Sequence, residues 1–312
     1  MESVQKTLAT ESVQKTLCHG ERAEYTYHGE RTDDTYHGER TEDTYHGEST
    51  EDTYHGESTE DTYHGNDTRD VPKSKLIDDI FHKSKEFFSL PNEVKRKYLL
   101  QPGCYHGYCE YRKEAWVILG EEISDFQSTL DNFFEKCQQL AMRVLEIIAR
   151  GFNAEDPLIF VKEHKYCGTT ENKTALRLAW YPAIADGEDI KKDQVRCGEH
   201  SDYGSITLLL QDDLGGLQAQ TQDGKFIDVH PIKDSIVVNV GALLQRWTAD
   251  KLHSPVHRVV IPEKGRSSSR QSIPFFVFPD DMYEVKCMDG SDKYPPITAD
   301  AYLHLRHDAT SL

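Results

Sequence analysis

In the stretch Gly198-Glu199-His200-Ser201-Asp202-Tyr203-Gly204-Ser205, an imidazole and a carboxylate stand two residues apart, just before the apolar run Ile206-Thr207-Leu208-Leu209-Leu210. On an extended chain, positions i and i+2 point to the same side, so His200 and Asp202 are expected to point together. A third ligand of the same kind is His257, inside Val256-His257-Arg258-Val259-Val260-Ile261, where a strand would half-bury an imidazole that then needs a partner. His253 lies in a polar turn and His230 precedes Pro231, so both are more easily solvated. Two histidines and one carboxylate, with adjacent coordination positions left open, form the ligand set that holds non-haem Fe(II) for oxygen chemistry.

Taken alone, a His-x-Asp pair is in most proteins a surface or structural feature, and a second group of residues gives it weight. Arg270 and Ser272 sit two apart at the start of a strand ending Phe275-Phe276-Val277-Phe278, so they too share a face. A fixed guanidinium fork with a hydroxyl beside it suits the distal carboxylate of a small dicarboxylic acid. Tyr181, on a face shared with Arg177 and Ala179, could add a phenol donor. The plain alternatives are a surface ion pair for Arg270 and a barrel-lining aromatic for Tyr181.

These side chains need a scaffold of strands. From about residue 174 the hydrophobic period is two, over Ala175–Tyr181, Ser205–Gln211, Leu217–Gln220, Phe226–Val229, Ser235–Val240, Val256–Ile261 and Gln271–Phe278, with turn signals at Asp213-Leu214-Gly215-Gly216 and Gln222-Asp223-Gly224. Before it the period is helical. Leu76, Ile77, Ile80, Phe81, Phe87 and Phe88 form one stripe of a helix that stops near Leu90-Pro91. Phe126, Leu130, Phe133, Cys137, Leu140, Val144 and Ile148 form another, opened by a Ser124/Gln127 capping box and ended at Gly151. Many short strands after a helical front predict a mainly β protein, a sandwich or jelly-roll barrel with flanking helices.

The N-terminal part is different. His-Gly recurs with a period of nine at His19, His28, His37, His46, His55 and His64. From Tyr25 on, the units offer aromatic and no aliphatic residues, so stacked copies bury little and the ordering cost wins, which predicts a disordered segment over residues 1–65. That segment holds 16 acidic and 5 basic residues, a net −11 of the chain's −18, and it lowers the mean hydropathy to −0.68. The remainder is mildly acidic with no basic stripe, which argues against nucleic acid as a partner. No run approaches the ~20 apolar residues that span a bilayer, and the start Met1-Glu2-Ser3-Val4 has no apolar signal core behind it. Seven scattered cysteines without Cys-x-x-Cys pairs are expected to be reduced thiols. A cytoplasmic protein outside the membrane is the expectation.

The motifs GEHSDYGSITLLLQDDLGGLQ, VVNVGALLQRW, SPVHRVV and the Arg-x-Ser strand running into FFVFPD, in this order and spacing, closely resemble the iron- and 2-oxoglutarate-dependent oxygenases of the isopenicillin N synthase-like family. KEFFSLPNEVKRKY resembles that family's helical front. The resemblance implies a double-stranded β-helix (jelly-roll) core over residues 161–312, behind a helical region at 66–160 that is shortened relative to the family. It implies His200, Asp202 and His257 as ligands of Fe(II), and Arg270, Ser272 and Tyr181 as contacts to 2-oxoglutarate. It further implies oxidation of a small organic substrate by ferryl hydrogen abstraction, consuming O2 and releasing succinate and CO2. A monomer is expected. An oxidase of the same fold that does without 2-oxoglutarate and an inactive remnant of the family are the alternatives. Three departures stand out: Ala179 where relatives show Asn, Ala242 where many carry Asp, and repeats in place of the usual front, with Tyr63-His64-Gly65 at its last turn.

Overall fold

The computed structural model describes residues 15–18, 72–99, 107–109, 114–116, 123–184, 194–262 and 266–310. Its elements are β1 (Lys15–Cys18), α1 (Ser74–Ser89), α2 (Asn92–Lys95), β2 (Gly107–Cys109), β3 (Glu114–Trp116), α3 (Phe126–Gly151), β4 (Ala175–Tyr181), β5 (Val195–His200), β6 (Ile206–Gln211), β7 (Leu217–Gln220), β8 (Phe226–Asp228), β9 (Ser235–Val240), α4 (Ala242–Trp247), β10 (His257–Val260), β11 (Arg270–Val277), β12 (Glu284–Val285), β13 (Ile297–Thr298) and α5 (Ala299–Thr310). A major sheet runs β1-β9-β6-β11-β4-β3-β2 and a minor sheet runs β5-β10-β7-β8. The paired strands are antiparallel, and the two sheets form the jelly roll.

The period-two pattern decides what each face of the major sheet touches. Leu176, Leu178, Leu208, Leu210, Ile236, Ile273, Phe275 and Val277 are buried in one cluster with Ile80, Phe87, Phe126, Phe133 and Leu145 of the two long helices. The alternate residues Leu209 and Val237 pack instead with Leu217, Ala219 and Val259 of the minor sheet. The parity of these residues assigns Thr207, Gln211 and Asn239 to the barrel interior. The register Ser272↔Gln211, Phe276↔Thr207, Ser272↔Ala179 and Arg270↔Tyr181 brings Arg270, Ser272, Phe276, Arg177 and Tyr181 to the same side. Interior polar groups and exterior apolar ones are therefore sorted by alternation alone.

Several expectations change. The Ser124/Gln127 capping box does not form: α3 starts after Asp125, whose φ of 58° is left-handed, without a side-chain cap, and Gln127 bonds Asp131 instead. The shared strand face expected for His200 and Asp202 is absent as well. β5 ends at His200, and Asp202 lies in the loop before β6. The region read as helical also supplies β2 and β3, which extend the major sheet beyond β4. Of the repeat segment, expected to lack order, Lys15–Cys18 forms an edge strand on β9. The rest of it, including Tyr63-His64-Gly65, lies outside the described residues. The thiols of Cys109, Cys137, Cys167, Cys197 and Cys287 are free. No helix among the described residues is long and apolar enough to cross a membrane.

The Asp202 loop is seated on α4 through backbone contacts. Ala242 N donates to Asp202 O at 2.7 Å, Leu243 N to Tyr203 O at 3.1 Å and Gly241 N to Ser205 O at 2.8 Å. The approach leaves no room for side chains: a Cβ on Gly241 would lie 2.1 Å from Gly204 O, and one on Gly204 would lie 2.2 Å from Val277 O. Gly241→Ala should therefore displace backbone rather than a flexible side chain. It is expected to lower stability by about 3 kcal/mol in urea unfolding, and parent-like stability would show that the loop can yield.

Candidate metal centre

His200, Asp202 and His257 converge, with one ligand atom from each lying within 4.8 Å of the others. Register explains the pair of imidazoles: His257 at the start of β10 lies directly across from His200 at the end of β5. Their ring centroids are 4.2 Å apart. Asp202 Oδ1 is 3.9 Å from His200 Nε2 and 3.7 Å from His257 Nε2.

Each ligand is oriented from behind. His200 Nδ1 lies 2.8 Å from Gly198 O and His257 Nδ1 lies 3.1 Å from Pro255 O. A proton on Nδ1 satisfies these carbonyls and leaves the Nε2 lone pairs facing Asp202. Asp202 is 6% exposed, and its Oδ2 accepts from Thr207 Oγ1 at 2.6 Å and Asn239 Nδ2 at 2.8 Å. Oδ1 is thereby turned toward the imidazoles. Thr207 and Asn239 were missed in the sequence. They are cross-strand partners of β6 and β9, and the Asn of Val-Val-Asn-Val-Gly was the available signal.

Arg270 is 1% exposed. Its Nε donates to Gly215 O at 2.7 Å and its Nη2 to Gln211 Oε1 at 3.3 Å, while its plane lies 5.1 Å from the Tyr181 ring centroid. Gly215 and Gly216 have φ of 74° and 84°, so the turn that offers this carbonyl requires glycine. Arg270 Nη1 is buried with no acceptor among the described residues. Ser272 is buried beside it on the same face, and Tyr181 stands directly across. A buried guanidinium with one donor unmet fits a carboxylate supplied by a ligand. The Arg270, Ser272 and Tyr181 group is thus assembled, whereas His230 and His253 are exposed and outside the metal cluster. Ala242 acts through its backbone N–H, which donates to Asp202 O.

The family described as the 2OG-Fe(II) oxygenase superfamily matches residues 171–279, which includes all six of these side chains. The 2-oxoglutarate-dependent dioxygenase htyE of Aspergillus rugulosus is 32% identical, covering 66% of this chain and 75% of its own length. The chain belongs to the 2OG-Fe(II) oxygenase superfamily. Proline hydroxylase buaE of Petromyces alliaceus is 30% identical over 66% of this chain and 74% of its own length. Among solved structures, full-length Neurospora crassa T7H in complex with alpha-KG and 5-formyluracil superposes with a TM-score of 0.70 at 34% identity, covering 77% of this chain and 84% of that one. The dioxygenase thus uses Fe(II), 2-oxoglutarate and O2, and its His-Asp-His cluster has the donor chemistry for the metal.

Electrostatics divides the two histidines. Burial pulls the His200 pKa down, but the Cys197 sulfur, the Gly198 carbonyl and the Asp202 carboxylate outweigh it and raise the value to about 9. Burial dominates at His257 and lowers its pKa, against the pull of Asp202. Below about pH 9 the metal-free centre therefore keeps a proton on His200 that an incoming cation must displace. Apparent metal affinity should rise about tenfold per pH unit between about pH 6 and 8, with about one proton released per ion. Calorimetric titration with Mn(II) in buffers of different ionisation heat measures both, and a pH-independent affinity would mean that His200 is already neutral.

Proposed function

We propose that His200, Asp202 and His257 hold Fe(II), and that Arg270, Ser272 and Tyr181 hold the distal carboxylate of 2-oxoglutarate, for the oxidation of a small organic molecule. The observation that carries this reading is the pairing, inside one barrel, of a three-ligand cluster and a buried guanidinium whose Nη1 has no acceptor among the described residues. When bound, metal and 2-oxoglutarate supply oxidising power: O2 takes two electrons from decarboxylation of the keto acid to succinate and CO2, and two from a substrate C–H bond.

The chain's own residues do the positioning. Gly215 O and Gln211 fix the Arg270 fork, so the far carboxylate is held at one depth and the keto-acid end faces the cluster. The two carbonyls behind His200 and His257 keep the Nε2 atoms forward. Apolar Leu209, Leu217, Val237 and Val259 pack between the sheets and keep water from the interior.

The interior face also carries Arg177, whose guanidinium lies 4.8 Å from the Phe276 ring centroid. An aromatic plane with a cation beside it suits a flat ring bearing carbonyl oxygens. The Neurospora protein has been crystallised with thymine and with 5-formyluracil, so free pyrimidine bases are the first substrates to test.

The decisive measurement is anaerobic. Fe(II) followed by 2-oxoglutarate should give the visible charge-transfer absorption of a chelated keto acid. His257→Ala should abolish it, and Arg270→Ala should raise the 2-oxoglutarate concentration needed by roughly a hundredfold, the ~3 kcal/mol scale of truncating one partner of a buried charge pair. Iron uptake without the absorption would point to an oxidase that does without 2-oxoglutarate, and no iron uptake would overturn the metal assignment.

A further inference from the structure

The loop that carries Asp202 is gripped from outside by the last helix of the chain. Arg306 of α5 donates from Nη2 to Ser201 Oγ at 3.2 Å, and its guanidinium lies 4.5 Å from the Tyr203 ring centroid. The same guanidinium donates from Nη1 to Tyr302 Oη at 3.2 Å. Tyr302 is 8% exposed and belongs to the main core cluster, so the arginine is anchored on a side chain that does not move freely. His307 adds an edge-on contact to Tyr203 at 5.8 Å between ring centroids. Both neighbours of Asp202 in the chain are therefore tied to one guanidinium, while Asp202 itself is tied to α4 by its carbonyl and to β6 and β9 by Oδ2.

We propose that Arg306 is a positioning residue for the metal centre: through Ser201 and Tyr203 it holds the loop that aims Asp202 Oδ1 at the two imidazoles. The inference rests on the metal reading given above. Its physical basis is that the contacts on α4, Thr207 and Asn239 restrain Asp202 from the barrel side, leaving rotation of the loop about them to be resisted from the solvent side. A planar fork can meet a hydroxyl on each side and stack on a ring at the same time, and a lysine in its place keeps the charge but not the geometry. Groups one step behind a metal ligand commonly change metal affinity by about 10- to 100-fold when removed.

The test is a titration of the metal-free full chain with Co(II), read by its d–d absorption, which reports affinity and ligand geometry without turnover. Arg306→Ala should weaken Co(II) binding about tenfold and alter the shape of the absorption, Arg306→Lys should recover part of that loss, and Ser201→Ala, which removes one hydroxyl, should lose about threefold. Arg150→Ala, which breaks an exposed ion pair with Glu146 on α3, should bind as the parent does. Parent-like affinity and absorption in Arg306→Ala overturn the proposal. Should that variant fail to fold, parent-like binding by Ser201→Ala overturns it. No Co(II) binding by the parent overturns the metal reading itself, an outcome distinct from a parent that binds and variants that match it.

Discussion

A carboxylate buried to the extent of Asp202 is stable only with donors on one oxygen and positive charge near the other. Most of the centre can be understood as the answer to that constraint. Thr207 and Asn239 supply the donors, and they do so from adjacent strands in direct register, so the major sheet itself fixes where Oδ2 sits. Oδ1 faces two imidazoles, of which one, His200, has its pKa raised to about 9 with help from the Asp202 carboxylate. The close packing of Gly204 against Gly241 follows from the same need, because the loop must approach α4 closely for Ala242 N to reach the Asp202 carbonyl.

The second charge in the barrel obeys a different rule. Arg270 is more deeply buried than Asp202, and its donors are met only in part, by a glycine carbonyl and a glutamine. Asp212, the acid that lies electrostatically close to it, is occupied by the backbone N–H of Gln271, and its own pKa is raised by burial. A cation that the fold buries without a matched anion costs stability unless a ligand brings the anion. The barrel thus holds both a buried anion that faces two imidazoles and a buried cation with a donor unmet among the described residues, the pair of charges on which the proposed binding of a chelating keto acid rests.

How much of this could be read from the sequence follows from the physics of each element. Strands with one face in the barrel and the other on the helices or toward solvent alternate cleanly, which is why β4, β7 and β9 coincide with their predicted limits. β5 was not found because Val195-Arg196-Cys197-Gly198-Glu199-His200 is half-buried to exposed at the edge of the minor sheet and carries no apolar alternation. His200 and Asp202 do converge, though not by sharing a strand face. They meet across a strand end and a loop, and the loop is shaped by backbone hydrogen bonds that leave no trace in residue type beyond two glycines. Arg270 and Ser272 were legible because they lie within one regular strand, where period two holds.

The residues that escaped the sequence reading have a common character. Thr207, Asn239, Gly215, Gln211 and Arg306 act on a functional side chain from another segment of the chain, at separations of 5, 37, 55, 59 and 105 residues from the partners they bind. Local pattern fixes a face, and only the sheet register and the return of the C-terminal helix bring these groups together. Ala242, which contributes only its backbone N–H to the Asp202 carbonyl, makes the same point. Where a position contributes through its backbone N–H, the side chain is free to change so long as the chain path, enforced by Gly241 and Gly204, is kept.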